Sequence, residues 1–186
     1  MRHLAVSAIG RDHPGIVAAV TRVLLDHHVN VEDSQMTILR GRFTMMLIVS
    51  APDELDEAAL RSDLGAAAQE LGLDAVSVEA VDEPAAVPAS EPSHIVTVYG
   101  VDHPGIVHAV ATALAGAEVN ITDLNTRLVS DDPAGNGDGA EDLYAMMLEV
   151  SLPPGLSAGA LQTLLEATRR DQGVEVTIRE LESDEL

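Results

Sequence analysis

The sequence predicts an α+β protein made of two βαββαβ units in tandem, each an antiparallel four-stranded sheet with both helices on one face. Three observations carry that expectation: an internal repeat, apolar alternation at the strand period, and apolar stripes at the helical period. Residues 12–31 align without gaps on residues 102–121, with eleven of twenty positions identical. The strongest block, Asp-His-Pro-Gly-Ile-Val, stands at 12–17 and again at 102–107, followed by Val29-Asn30 and Val119-Asn120.

Further along, Phe43-Thr44-Met45-Met46-Leu47 corresponds to Tyr144-Ala145-Met146-Met147-Leu148, so the second copy carries an insertion. It falls in residues 131–142, whose Gly and Asp content reads as an enlarged hairpin loop.

The elements follow in order. Leu4, Val6 and Ala8 alternate along a strand at 3–9, and Ile16, Val20, Val23 and Leu24 then form a helical stripe. A strand at 29–39 turns at Arg40-Gly41-Arg42 into a second at 43–50, where Phe43, Met45, Leu47 and Val49 point inward. The Met pairs, Met45-Met46 and Met146-Met147, should therefore split between core and open face. Leu60, Leu64, Ala67 and Leu71 mark a second helix stopped by Gly72, and Val76 and Val78 a last strand. The second copy repeats the series: strand 95–100, helix 105–116, strands 119–129 and 142–152, helix 157–172, strand 174–181.

Two right-handed crossovers in that order give a ferredoxin-like sheet whose strand edges call for partners. The domain boundaries expected are 1–83 and 93–182, with a linker at 84–92 stiffened by Pro84, Pro88 and Pro92 and an acidic tail at 183–186.

Composition removes several function classes. Of 186 residues none is cysteine, and all ten basic residues are arginine, which excludes thiolate, Schiff-base and Walker-lysine chemistry. The net charge of −21 repels polyanions, and three aromatics, Phe43, Tyr99 and Tyr144, make no base-stacking platform, so direct nucleic-acid binding is not expected. No apolar run spans a bilayer, and the cytoplasm is the expected location. No cofactor or metal site is expected either: His27 and His28 diverge on their helix, and Ala134 and Leu143 stand where a calcium loop needs oxygen ligands.

The repeated turn is where chemistry concentrates. A helix starting near Pro14 or Gly15 leaves orphan N–H groups that suit a carboxylate, Asp12 offers a counter-charge for an ammonium group, and Asn30 both donates and accepts. The candidate ligand-binding residues are thus Asp12, His13, Pro14, Gly15, Ile16 and Asn30, with Asp102, His103, Pro104, Gly105, Ile106 and Asn120. A purely structural role is the competing reading: Asp12 as a helix cap, Asn30 as a turn residue, His13 and His103 as turn packing.

The Asp-His-Pro-Gly-Ile-Val turn, with Val-Asn opening the next strand, resembles the ACT domain family, and two copies resemble tandem regulators of the glycine cleavage repressor type. That resemblance implies a non-catalytic, oligomeric regulator that binds a small amino acid, glycine or serine foremost, near the contact between paired units. It further implies output through a protein partner, a transcription regulator or an enzyme, in glycine and one-carbon metabolism. A ligand-free adaptor or heteromeric subunit on the same scaffold is the alternative. Catalysis is not expected, because no Ser-His-Asp ordering, phosphate loop or carboxylate pair stands out.

Overall fold

The computed structural model describes residues 1–81, 91–129 and 142–181. The expected linker lies outside the described residues but for Glu91 and Pro92, the expected hairpin loop but for Asp142, and the acidic tail wholly. The chain divides into two compact units, Met1–Ala86 and Val87–Leu186.

The first unit runs β1 (Arg2–Arg11), α1 (Ile16–Asp26), β2 (Asn30–Leu39), β3 (Arg42–Ala51), α2 (Glu57–Glu70) and β4 (Leu73–Val81). The second runs β5 (His94–Val101), α3 (Ile106–Gly116), β6 (Asn120–Val129), β7 (Leu143–Ser151), α4 (Ala158–Gln172) and β8 (Glu175–Glu180). The sheets are ordered β2-β3-β1-β4 and β6-β7-β5-β8, and every pairing is antiparallel. The expected class and element order are therefore those observed.

Each core lies between the sheet and its two helices. Leu4, Val6 and Ala8 are wholly buried beneath Ile16, Val20 and Leu24 of α1 and Leu60 and Leu64 of α2, as period-2 and period-3.6 patterning requires. The methionines split as expected, with Met45 and Met146 buried and Met46 and Met147 about half exposed on the open face. One stripe position differs: Ala68, not Ala67, completes the buried face of α2, since α2 keeps the i, i+4 row from Leu60 through Leu64.

Two devices set the geometry at the end of β1. A register shift falls between Ile9 and Gly10, where Gly10 faces Leu73 at the start of β4. A Cβ on Gly10 would lie 2.9 Å from the Leu73 Cα, so the absence of a side chain lets β4, and the end of α2 before it, close onto β1. Gly100 and Val174 repeat that approach in the second unit. By contrast β2 is exposed at all ten positions, because α1 and α2 cover the central strands and leave this edge bare.

Candidate functional site

The site grows from the chain leaving β1. Gly15 is the N-cap of α1 with φ 103°, a conformation that L side chains avoid, and Gly105 caps α3 with φ 110°. Neither helix has a side-chain cap. The other two do: Asp56 accepts from the N–H groups of Ala58 and Ala59 at the start of α2, and Ser157 accepts from Ala160 at the start of α4. The first bond within α1 runs from the Ala19 N–H to the Gly15 carbonyl at 2.9 Å, so the N–H groups of Ile16, Val17 and Ala18 have no partner inside the helix. Asp12 therefore does not cap α1. Its carboxylate is exposed and makes no hydrogen bond or ion pair among the described residues.

His13 holds the turn in place. Its Nδ1 lies 3.0 Å from the Pro14 carbonyl oxygen and its Nε2 2.8 Å from the Leu71 carbonyl at the end of α2. His103 makes the same bridge, at 3.2 Å to Pro104 and 2.8 Å to Gln172 at the end of α4. Carbonyl oxygens only accept, so both contacts are hydrogen bonds at once only when the ring is the imidazolium, with both nitrogens donating. The carbonyls of Pro14 and Leu71, with Asp12, raise the pKa of His13 above its ordinary value. Those of Gln172 and Pro104, with Asp102, do the same for His103. A cation at the C-terminal end of α2 or α4 is also favoured by the helix dipole. Both histidines thus act as staples between the turn and the neighbouring helix.

Beside the first turn lies an open hollow of about 480 Å³. Asp12, His13, Pro14 and Gly15 form its rim, Ile16, Val17 and Ala18 its helical wall, and Met36 of β2 and Phe43 of β3 its floor. Ile16 and Ile106 are 2% exposed and belong to the cores, so they offer the site backbone N–H groups and not side chains. Val17, Ala18, Met36 and Phe43 were not among the residues expected from the sequence. Comparing the two copies position by position is the signal that singles out three of them.

Asn30 is the clear departure. It faces Ser50 on β3, which faces His3 near the start of β1, whereas Asp12 follows Arg11, which faces Arg42. Eight residues of β3 separate those rows, and at about 3.3 Å per residue this is roughly 26 Å. Asn120, facing Ser151 of β7, stands at the equivalent far end of its own sheet. This register places Asp12 and Asn30 at opposite ends of one sheet, so a single unit does not bring them to one ligand. Pro-Gly turn and Val-Asn motif are neighbours in sequence only because α1 returns the chain to the other end of the sheet.

Elsewhere on the described residues five arginines pair locally: Arg2 and Arg61 with Glu57, Arg22 with Asp26, Arg42 with Asp74 and Arg169 with Glu166. No group of three or more His, Asp or Glu side chains among the described residues is arranged to hold a metal ion. No described helix is long and apolar enough to cross a membrane.

Two βαββαβ units, each with a Pro-Gly turn opening a helix without a side-chain cap, define a tandem repeat of one small α+β fold. The ACT domain model matches residues 2–78. A UPF0237 protein of Methanopyrus kandleri is 39% identical over 77 residues, 41% of this chain and 86% of that protein. The chain belongs to the ACT domain family. It is also 32% identical over 179 residues to the phosphoserine phosphatase SerB2 of Mycobacterium tuberculosis, spanning 94% of this chain but only 40% of that longer protein. Among solved structures, a candidate glycine cleavage system transcriptional repressor matches 97% of both chains with a TM-score of 0.68 at 18% identity, a likeness of fold.

Proposed function

We propose that this protein is a non-catalytic sensor in which the Asp12 turn, the Asp102 turn or both bind a small α-amino acid, and that occupancy alters its contact with a protein partner. The observation that carries the reading is the duplication of one arrangement: an aspartate that does not cap the helix, a left-handed glycine and a helix start without a side-chain cap, each held by a histidine staple. An ammonium group would pair with Asp12 while the α-carboxylate accepts from the N–H groups of α1. The family resemblance favours glycine or serine and an output in transcriptional control of glycine and one-carbon metabolism. The net charge of −21 supports a protein partner in place of DNA.

Asn30 fits this reading when a second copy supplies it. Antiparallel pairing of β2 with β2 of another copy would place that copy's Asn30 beside Leu39, at the end of the sheet where Asp12 lies. The exposed apolar residues Val31, Met36, Ile38 and Leu39 on this bare edge support such a homo-oligomer. Calorimetry with the common amino acids tests the proposal. Asp12→Ala and Asp102→Ala together should abolish binding, because each loses a charge-assisted contact of about 1.5–3 kcal/mol, while leaving both units folded. Unchanged binding in the double variant would refute the site.

A further inference from the structure

Nine residues line the hollow at the first turn, and six of them recur identically at the second. The three that differ all change in one direction. Ala18 becomes His108, Met36 becomes Thr126, and Phe43 becomes Tyr144, so each apolar lining group is replaced by one that can form hydrogen bonds. The equivalences are fixed by register: Met36 faces Met45 and Thr126 faces Met146, while Phe43 and Tyr144 face Gly10 and Gly100. Phe43 and Tyr144 belong to the cores as well, but their core neighbours Met45 and Leu47 correspond to the equally apolar Met146 and Leu148. Tyr144 and Thr126 are also hydrogen-bonded to each other, and Asp102 acts on the same hydroxyl. A polar pair thus occupies the floor that a thioether and a phenyl ring form in the first unit.

We infer that the two turns read different amino acids, the first one with an aliphatic or thioether side chain through Met36, backed by the buried Phe43, the second one with a hydroxyl side chain through His108, Thr126 and Tyr144. This rests on the amino-acid reading above and goes beyond it. The common turn would hold the α-ammonium and α-carboxylate groups in both units, and the floor would select the side chain. A hollow of about 480 Å³ with an apolar floor is more than glycine can fill. Filling it with methylenes is worth roughly tenfold or more in affinity, whereas a hydroxyl left unpaired against Met36 is penalised. At the second floor the preference reverses, because a ligand hydroxyl can hydrogen-bond to Thr126, Tyr144 or His108 where an aliphatic group cannot.

The test is calorimetry of the full chain with L-leucine, L-methionine, L-serine and L-threonine, using single-turn variants. Asp102→Ala, which leaves the first turn, should keep leucine or methionine binding and lose serine or threonine; Asp12→Ala should do the opposite. Met36→Thr with Phe43→Tyr should shift the first turn toward serine by about tenfold. Met36 is 47% exposed, so Met36→Thr alone serves if the double variant unfolds. The same rank order of ligands in both single-turn variants, or a floor exchange that changes no preference, overturns the inference while leaving the sensor reading intact. If no amino acid binds the wild-type chain, both fall.

Discussion

Gly10→Ala should unfold the first unit more readily and loosen its turn, and the size of the effect follows from three distances. An added Cβ would lie 2.6 Å from Leu73 Cδ2, 3.3 Å from Leu73 Cβ and 2.9 Å from Leu73 Cα. Rotation of the leucine side chain relieves the first contact; only a shift of the β4 backbone relieves the last. Overpacking of this kind costs about 1–3 kcal/mol, against which the stiffer unfolded chain returns about 0.4–1 kcal/mol. The net loss should be near 1–2 kcal/mol. At Gly100 the closest atom is Val174 Cγ1 at 2.9 Å and the backbone Cα stands at 3.3 Å, so Gly100→Ala needs a smaller shift and should lose less. Because Leu71 lies two residues before Leu73, moving the start of β4 also stretches the 2.8 Å contact to His13. Urea unfolding followed by circular dichroism gives the stability, and amide exchange assigns the change to a unit. Wild-type stability in Gly10→Ala, with undiminished protection across Leu73–Val81, would refute the close-approach argument.

Gly15→Ala and Gly105→Ala should each lose about 1–3 kcal/mol through backbone strain alone, since a Cβ at Gly15 meets nothing within 4 Å and one at Gly105 meets only Gln172 Oε1 at 3.6 Å. Similar losses in thermal melts of the two variants support that origin; a much larger loss at one turn would mean a steric cause. The histidine staples make stability depend on pH. Their folded pKa lies above the ordinary 6.5, so their contribution is fully present below about pH 6.5 and disappears as pH rises through the folded value. His13→Gln with His103→Gln should flatten that decline when melts are compared from pH 6 upward, and an unchanged difference between wild type and variant across that range would count against the imidazolium.

The fold was legible because the repeat supplied two independent readings of one pattern. Leu4, Val6 and Ala8 announce a half-buried strand, and Ile16, Val20 and Leu24 a covering helix, and the matching residues of the second copy say the same. The edge position of β2 was less legible, since Val31, Met36 and Ile38 carry apolar side chains that in a central strand would be buried. The site was legible in its turn and not in its floor. Pro-Gly before a helical stripe locates an N-terminus from local chemistry alone. Which strand residues reach that N-terminus depends on register, which joins Met36 and Phe43 to a turn more than twenty residues earlier.

Asn30 shows the same limit from the other side. Its residue type suits a ligand, and its recurrence as Asn120 invites pairing with Asp12, but sequence spacing does not say at which end of the sheet a strand begins. One helix between two strands reverses direction, so the residue after β1 and the first residue of β2 must stand at opposite ends. Any ligand contact by Asn30 that also involves the Asp12 turn therefore requires another polypeptide surface. Asn30→Ala should accordingly weaken binding only under conditions in which copies associate, whereas Asp12→Ala should weaken it in monomer and oligomer alike. Calorimetry across a dilution series, with sedimentation to fix the assembly state, separates the two. A loss on Asn30→Ala that persists in the monomer would refute supply of Asn30 by a second copy.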